Sequence, residues 1–272
     1  LPIYFKLLGD EQVKETKIDW LGGLLLALFV AQVLLAVTIQ ITWLIGAVIA
    51  AIGFVWRIMT TSHPFVEPKL FRNRAYTFYL ALAFVTTGMG YALFFTAPLF
   101  LSEVYALKES LIGVVMVPAA VITALLNRQG GKLADRKGSG FLFFIALALL
   151  FTSFILLSTF IGNHLVMIAA FLALGGVGQS FMMVVMSRSI SLTLPAEHAG
   201  IGMGLLMMQN FIAGSIAIGI YGRVIDLETH QSWNPFASSL PGAIYSNLFL
   251  GLAILCMVIW LVFFAHARKK HA

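Results

Sequence analysis

Residues 130–140 read GGKLADRKGSG, a charged, glycine-rich stretch within an otherwise strongly apolar sequence. Apolar segments lie on both sides of it, at 111–126 and 141–161. A helix that crosses a bilayer needs ~20 predominantly apolar residues, and each flanking segment approaches or reaches that length. The stretch is therefore predicted to be a short polar loop between two membrane-spanning helices.

The composition excludes a water-soluble domain. Hydrophobic residues make up 60% of the 272 residues, charged residues make up 10%, and the mean hydropathy is +0.97. A soluble domain carries about 25% charged residues. Long runs without Asp, Glu, Lys or Arg predict an all-α integral membrane protein with about eight helices. These helices are expected at 21–38, 42–58, 75–101, 109–128, 139–160, 164–188, 199–223 and 243–266.

The basic residues are distributed unevenly between the two sides of the membrane. When successive spans alternate in direction, one side receives every Lys and Arg except Lys108 and Arg223. Cytoplasmic loops carry such an excess of positive charge, so both termini of the chain are expected in the cytoplasm. The net charge of +6 is thus explained by membrane topology, and no nucleic-acid partner is predicted.

The sequence contains no motif of a metal site or an enzyme. The single cysteine, Cys256, lies inside the last predicted span, and no CxxC, HExxH or GxxxxGK[ST] pattern occurs. There are neither clustered carboxylates nor a Ser, His and Asp set at one membrane depth. We therefore expect no enzyme activity, no metal and no cofactor.

The positions of charges and prolines divide the chain into four segments. Residues 1–19 are predicted as a cytoplasmic connection, 20–58 as a two-helix transmembrane hairpin, 59–74 as a second connection, and 75–272 as six spans with a basic cytoplasmic tail. Two prolines interrupt any helix in the second connection. Its part at 68–74 either lies along the membrane surface or is a solvated linker. Because the first residues read like a helix end that runs into a loop, we expect a longer protein with further N-terminal spans.

The stretch that opens this section resembles the loop signature of the major facilitator superfamily, G-x-L-a-D-R-x-G-r. The final basic position is absent here, but the other defined positions match: Gly131, Leu133, Asp135, Arg136 and Gly138. Two further stretches, LPAEHAGIGMG at 194–204 and HPFVEPKLFRNRAYT at 63–77, resemble the fourteen-span drug:proton antiporters of that superfamily. The resemblance covers nearly all of the chain.

This resemblance implies a function and a partner. It implies that 21–58 is the additional central hairpin, helices seven and eight of fourteen, and that 75–266 is the C-terminal six-helix half. The N-terminal six-helix half would then be the missing partner. The protein would lie in a bacterial plasma membrane and export amphipathic or cationic drugs such as quinolones, tetracyclines and dyes. The proton gradient would drive this exchange by alternating access.

The charged stretch is predicted to act as a conformational latch, with Gly131, Asp135, Arg136 and Gly138 as its residues. Glycines permit a tight turn between antiparallel helices, and Asp135 can lie at a helix N-terminus, where negative charge is favoured. The neighbouring basic residues can pair with acids on another element. Such contacts can form in one conformation and break in another. A solvated turn with basic residues is the alternative.

The substrate cavity is expected near the midplane, shared between the two halves. Methionine and aromatic side chains repack around different ligands, and buried amides need hydrogen-bond partners. Plain helix packing or lipid contact is the alternative for each residue. The predicted cavity residues are Thr86, Tyr91, Phe95, Gln179, Met182, Gln209 and Asn210.

The proton carrier is expected outside this sequence, because the interiors of the predicted spans contain no Asp, Glu, Lys or Arg. Intramembrane ionisable residues are the usual carriers. Glu103 and Asp226 lie at the external edge, where they are candidates for external proton uptake or simple interface charges. Two other functions stay open: a major facilitator carrier for another small solute, and a non-transporting membrane sensor or scaffold.

Overall fold

A computed structural model of the chain describes residues 19–62, 64–227, 231–236 and 242–271, without the side chains of 196–197 and 266–271. The described residues form nine helices and no strand. Eight of these helices are long and apolar enough to cross a membrane, so the prediction of an all-α membrane protein is confirmed. The helices are α1 Trp20–Thr38, α2 Trp43–Thr60, α3 Pro68–Arg72, α4 Arg74–Glu103, α5 Glu109–Lys137, α6 Ser139–Phe160, α7 Leu165–Thr193, α8 Ala196–Ile225 and α9 Ala243–His271.

Capping side chains begin the helices that leave the connecting segments. Asp19 accepts a hydrogen bond from the Gly22 backbone N–H at 3.0 Å and caps α1. Asn73 accepts from the Ala75 and Tyr76 backbone N–H groups and caps α4. Such oxygen acceptors satisfy N–H groups that the first helical turn leaves free.

The predicted loop at 130–140 is wrong, because α5 continues as helix through Lys137. The turn to α6 is the single residue Gly138, whose φ of 86° lies in a region that glycine adopts without strain. Gly131 is therefore a helical residue and makes no turn. Charged residues are compatible with a helix that has left the bilayer, so hydropathy alone does not separate such a helix from a loop.

α7 lies at the centre of the helix arrangement and contacts α4, α5, α6 and α8. Its approach to α6 depends on Gly178, where an added Cβ would lie 3.0 Å from the carbonyl oxygen of Ala146 and the nitrogen of Leu150. Small residues allow such close contact where burial from water offers no driving force between helices. α9 packs mainly on α6, and α8 packs mainly on α4.

The hairpin of α1 and α2 is attached to the six other long helices through α8. At one end Asp19 pairs with Arg57 at 3.0 Å, which joins the base of α1 to that of α2. The Gly22 N–H, followed by Arg57, holds the pKa of the Asp19 carboxyl below its usual value. At the other end Arg223 of α8 donates hydrogen bonds to the carbonyls of Val37 and Ile39. Arg223 thus ties the hairpin to α8.

The two ends of the molecule differ in charge. The basic end holds the start of α1, the α5–α6 turn and the start of α8, and the opposite end holds the turn at 39–42, the connections at 104–108 and 161–164, and the segment after α8. Residues 1–18 of the predicted first connection lie outside the described residues. The predicted basic tail continues as helix to His271.

Candidate functional site

Five uncharged polar side chains lie at the same depth, near the midpoints of three long helices. They are Thr86 and Thr87 on α4, Gln179 on α7, and Gln209 and Asn210 on α8. α4 contacts both other helices, so these side chains form one polar layer in the middle of the bundle.

Two of these side chains on α8 bind α4. The Thr87 hydroxyl donates to the Asn210 side-chain oxygen at 3.0 Å, and the Gln209 amide nitrogen donates to the Leu80 carbonyl at 2.9 Å. The Thr86 hydroxyl is satisfied within its own helix. Gln209 therefore bridges two helices. Helix packing was the alternative to a role in the substrate cavity for this residue.

Gln179 differs from its polar neighbours because its Oε1 atom has no hydrogen-bond partner among the described residues. Its side chain is only 6% exposed. The amide is placed against Gly90 of α4, where an added Cβ would lie 2.1 Å from the amide carbon. An unsatisfied buried acceptor costs free energy. The Gln179 Oε1 atom is therefore the acceptor of this layer that has no partner in the described part of the chain, and it could bind a ligand after the surrounding helices move.

A small cavity between α4, α7 and α8 lies beside this amide. Four of the predicted cavity residues line it: Thr86, Gln179, Met182 and Asn210. Met183, Met186 and Met207 add flexible apolar walls. Its volume of about 20 Å³ admits about one water molecule. A drug-sized molecule does not fit there in this conformation.

A larger groove of about 430 Å³ lies between α4, α5 and α7. Phe94, Thr123, Asn127 and Gly176 are among its lining residues, and Phe94 is 61% exposed. The Ser180 hydroxyl donates to the Asn127 side-chain oxygen at 2.8 Å and joins α7 to α5. Gly176, which lines this groove, and Gln179, which lines the small cavity, are one helical turn apart on α7.

Sequence reasoning missed the contribution of α5 to this groove. Thr123 and Asn127 are four residues apart, a spacing that places both on one face of a helix. Both lie in the span predicted at 109–128, so their spacing could have indicated a polar face. The remaining predicted cavity residues line neither space. The Tyr91 ring packs against Gly214 of α8, and Phe95 is half-buried against the apolar core.

Of the four predicted latch residues, Asp135 makes a side-chain contact between two helices. It lies near the end of α5, where it accepts a hydrogen bond from Arg188 of α7 in an ion pair. Lys137 places its ammonium 4.6 Å from the centre of the Phe141 ring. No acid pairs with Arg136 in the described part of the chain. The pair joins two helices that already pack together along their length.

The two acids at the opposite end occupy different surroundings. Glu103, at the end of α4, accepts a 2.7 Å hydrogen bond from the Tyr245 hydroxyl of α9. Asp226 follows α8 and lines a groove beside the end of α1 together with Arg223. Among the described residues, no cluster of three or more His, Cys, Asp or Glu side chains is placed to hold a metal ion.

Comparison with known proteins gives one family and several relatives. The family model of the Major Facilitator Superfamily matches residues 19–218. Multidrug resistance protein Stp of Mycobacterium tuberculosis is 25% identical over 179 residues, which is 65% of this chain and 33% of that protein.

Two further relatives cover more of the sequence. Lincomycin resistance protein LmrB of Listeria monocytogenes is 25% identical over 233 residues, 81% of this chain and 48% of its own length. Multidrug transporter protein MdtP of Bacillus subtilis is 23% identical over 252 residues, 86% of this chain and 46% of its own length. The chain thus spans between a third and about half of the curated relatives it matches.

Proposed function

The chain belongs to the major facilitator superfamily, and we propose that the protein is a secondary active transporter that exports amphipathic or cationic drugs in exchange for protons. The relatives named above carry multidrug or lincomycin resistance in their names. The observation that carries the proposal in this chain is the unpaired Oε1 atom of Gln179, buried at mid-membrane beside a methionine-lined cavity. A hydrogen-bond acceptor in an apolar, adaptable wall suits a cationic molecule with a large apolar surface.

The substrate site would form when these two spaces join. The cavity at Gln179 admits about one water, whereas the groove between α4, α5 and α7 has about 430 Å³, within the ~300–1,000 Å³ of small-molecule sites. A shift of α7 against α4 would connect them, since both helices line both spaces. Alternating access would supply this shift, because such transporters rock one bundle against another around a fixed site.

The protein would work with a second six-helix half, which we propose as the partner of this chain. The outward face of α5 is available for it, and the drug site would lie between the two halves. The proton carrier would belong to that half as well, since the described spans carry no Asp, Glu, Lys or Arg at mid-depth. The basic end would face the cytoplasm of a bacterial cell, in accordance with the positive-inside rule.

The test uses the whole protein in sealed vesicles with an imposed pH gradient. Ethidium, a quinolone and tetracycline are added in turn, and proton release is followed with a pH-sensitive dye. We expect release that requires the drug. Proton movement without any drug response, or no movement with protein shown to be folded, would contradict export and favour another solute or a non-transporting role.

A matched pair of variants links this activity to the site. Gln179→Met keeps the length of the side chain but removes the acceptor, and we expect it to raise the KM for a cationic drug about tenfold, because a hydrogen bond to a charged group is worth ~1.5 kcal/mol or more. Gln209→Met is the control at the same depth, since Gln209 binds the Leu80 carbonyl. Equal KM values for Gln179→Met and the parent protein would remove Gln179 from the site.

A further inference from the structure

A second, largely apolar groove lies between α8 and α9, towards the opposite end of the molecule. It has a volume of about 560 Å³ and is separate from the site at Gln179. α4 forms its floor at Gly88 and Met89. The small residues Ala213, Ala217 and Gly251 leave space between its walls. At its open side, Ile220 is 46% exposed. Because α4, α8 and α9 are all long and apolar enough to cross a membrane, the groove lies at the depth of the bilayer.

The side chains of Tyr221 and Asn247, which line this groove, already have hydrogen-bond partners. The Tyr221 hydroxyl donates to the Gly88 carbonyl at 2.8 Å. The Asn247 side chain accepts from the Trp233 backbone N–H at 2.7 Å and donates to the Gln231 carbonyl at 2.9 Å. No charged residue is among the lining residues. The groove therefore requires no polar ligand, and its chemistry matches a hydrocarbon.

The length of the groove matches one leaflet of a membrane. Its walls extend over residues 213–224 of α8 and 244–255 of α9, which is about 16 Å at ~1.5 Å per residue. Half of a ~30 Å hydrocarbon core is about 15 Å. The floor at Gly88 lies near the midpoint of α4. The groove thus extends from the middle of the bilayer to the surface of one leaflet.

Residues 231–236 hold an aromatic side chain at the mouth of the groove. Asn234 is 6% exposed, and its amide donates to the hydroxyls of Ser158 and Thr159 of α6 at 2.9 and 3.1 Å. Together with Asn247, it holds residues 231–234 over the ends of α6 and α9. The adjacent Trp233 lines the groove and is 71% exposed. Indole rings favour the level of the lipid headgroups.

We propose that this groove binds one acyl chain of a phospholipid from the leaflet at this end, with the headgroup beside Trp233. Lipid acyl chains surround this site in a membrane. One flexible chain of a leaflet's length matches the apolar walls, the depth and the mouth of the groove. With the basic end in the cytoplasm, the lipid belongs to the external leaflet. The chain would fill the gap between α8 and α9 and would connect helices that contact each other little directly.

The test uses the whole protein in vesicles of phosphatidylethanolamine and phosphatidylglycerol that contain a photoreactive phospholipid. The reactive diazirine is at the end of one acyl chain, and labelled peptides are mapped after illumination. We expect labelling concentrated at the deep end of the groove, on peptides with Gly88, Met89 and Ala213. Labelling spread evenly over all lipid-facing helices, or absent from these peptides, would overturn the proposal.

One variant separates a lipid site from simple lipid contact. An added Cβ at Gly251 meets nothing within 4 Å, so Gly251→Leu fills the groove without disturbing its neighbours. We expect it to reduce the labelling of the deep peptides about tenfold, because its four carbons displace chain methylenes. Ala148→Leu, in the apolar groove between α6 and α9, is the matched control and should leave that labelling unchanged. Equal labelling in Gly251→Leu and the parent protein would contradict the site.

Discussion

α5 and α7 have the same length and nearly the same hydropathy, yet they occupy opposite environments. Each has 29 residues, and their apolar stretches are nearly equally hydrophobic. Only 6% of the apolar stretch is buried in α5, compared with 56% in α7. α5 exposes a stripe at Val114, Val117, Val121 and Leu125. In a bilayer both an exposed and a buried helix are apolar, so hydropathy indicates a span without indicating its neighbours.

The largest expected effect is at the glycines of these two helices. In Gly178→Ala of α7, the new Cβ meets backbone atoms of α6 at 3.0 Å, and backbone atoms cannot rotate aside. We expect the free energy of unfolding to fall by roughly 1–3 kcal/mol. Thermal unfolding of the purified protein in detergent measures this change.

Gly113→Ala in α5 is the matched control. An added Cβ there meets nothing within 4 Å, and alanine favours helix over glycine by up to about 1 kcal/mol. Its stability should be unchanged or slightly raised. An equal loss in both variants would contradict the difference between the two helices. It would mean that α5 packs in the whole protein as closely as α7 does.

The next effect distinguishes two glutamines at the same depth. Gln209→Met removes the hydrogen bond to the Leu80 carbonyl, and inter-helical hydrogen bonds in membranes average about 0.6 kcal/mol. Gln179→Met removes an oxygen that has no partner in the described chain, so the free energy of unfolding should stay constant or rise. Unfolding temperatures of both variants, measured side by side, provide the comparison. A larger loss for Gln179→Met would show that its amide is structural.

The number and order of the helices that can span a membrane could be predicted from the sequence. Charge-free runs locate the spans because a charge at the bilayer centre is costly, and this physical rule is local. The polar layer could also be predicted in part, since Gln179, Gln209 and Asn210 are rare amides in apolar surroundings. Their depth follows from their positions in the runs.

The roles of the individual residues could not be predicted in the same way. Gln179 and Gln209 are the same residue type at the same depth, and only the packing of α4 gives one of them a partner. α5 extends nine residues beyond the predicted 128 to Lys137, because water accepts charged residues on a helix as readily as on a loop. Thr123 and Asn127 became part of a groove through the position of α7.

A smaller effect is expected at the hydrogen bond between α5 and α7. Ser180→Ala removes the donor to the Asn127 side-chain oxygen. The bond is exposed, so the free energy of unfolding should fall by about 0.5 kcal/mol or less. Ser180→Thr, which keeps a hydroxyl, is the control. If Ser180→Ala and Ser180→Thr unfold at the same lower temperature, the change in side-chain volume causes the loss of stability. The hydrogen bond then does not contribute to stability.

The smallest effect on stability is expected at the ion pair of Asp135 and Arg188, which joins the same two helices at the basic end. The two side chains are 70% and 37% exposed, and many ion pairs on a protein surface contribute nothing measurable to stability. Asp135→Asn should therefore leave the unfolding temperature nearly constant. If the pair breaks and forms again as α7 shifts against its neighbours, drug-dependent proton release should slow in Asp135→Asn, and the exchange Asp135→Arg with Arg188→Asp should restore part of it. Normal proton release in Asp135→Asn would show that the ion pair only holds α5 to α7. The two helices would then move together as one rigid body.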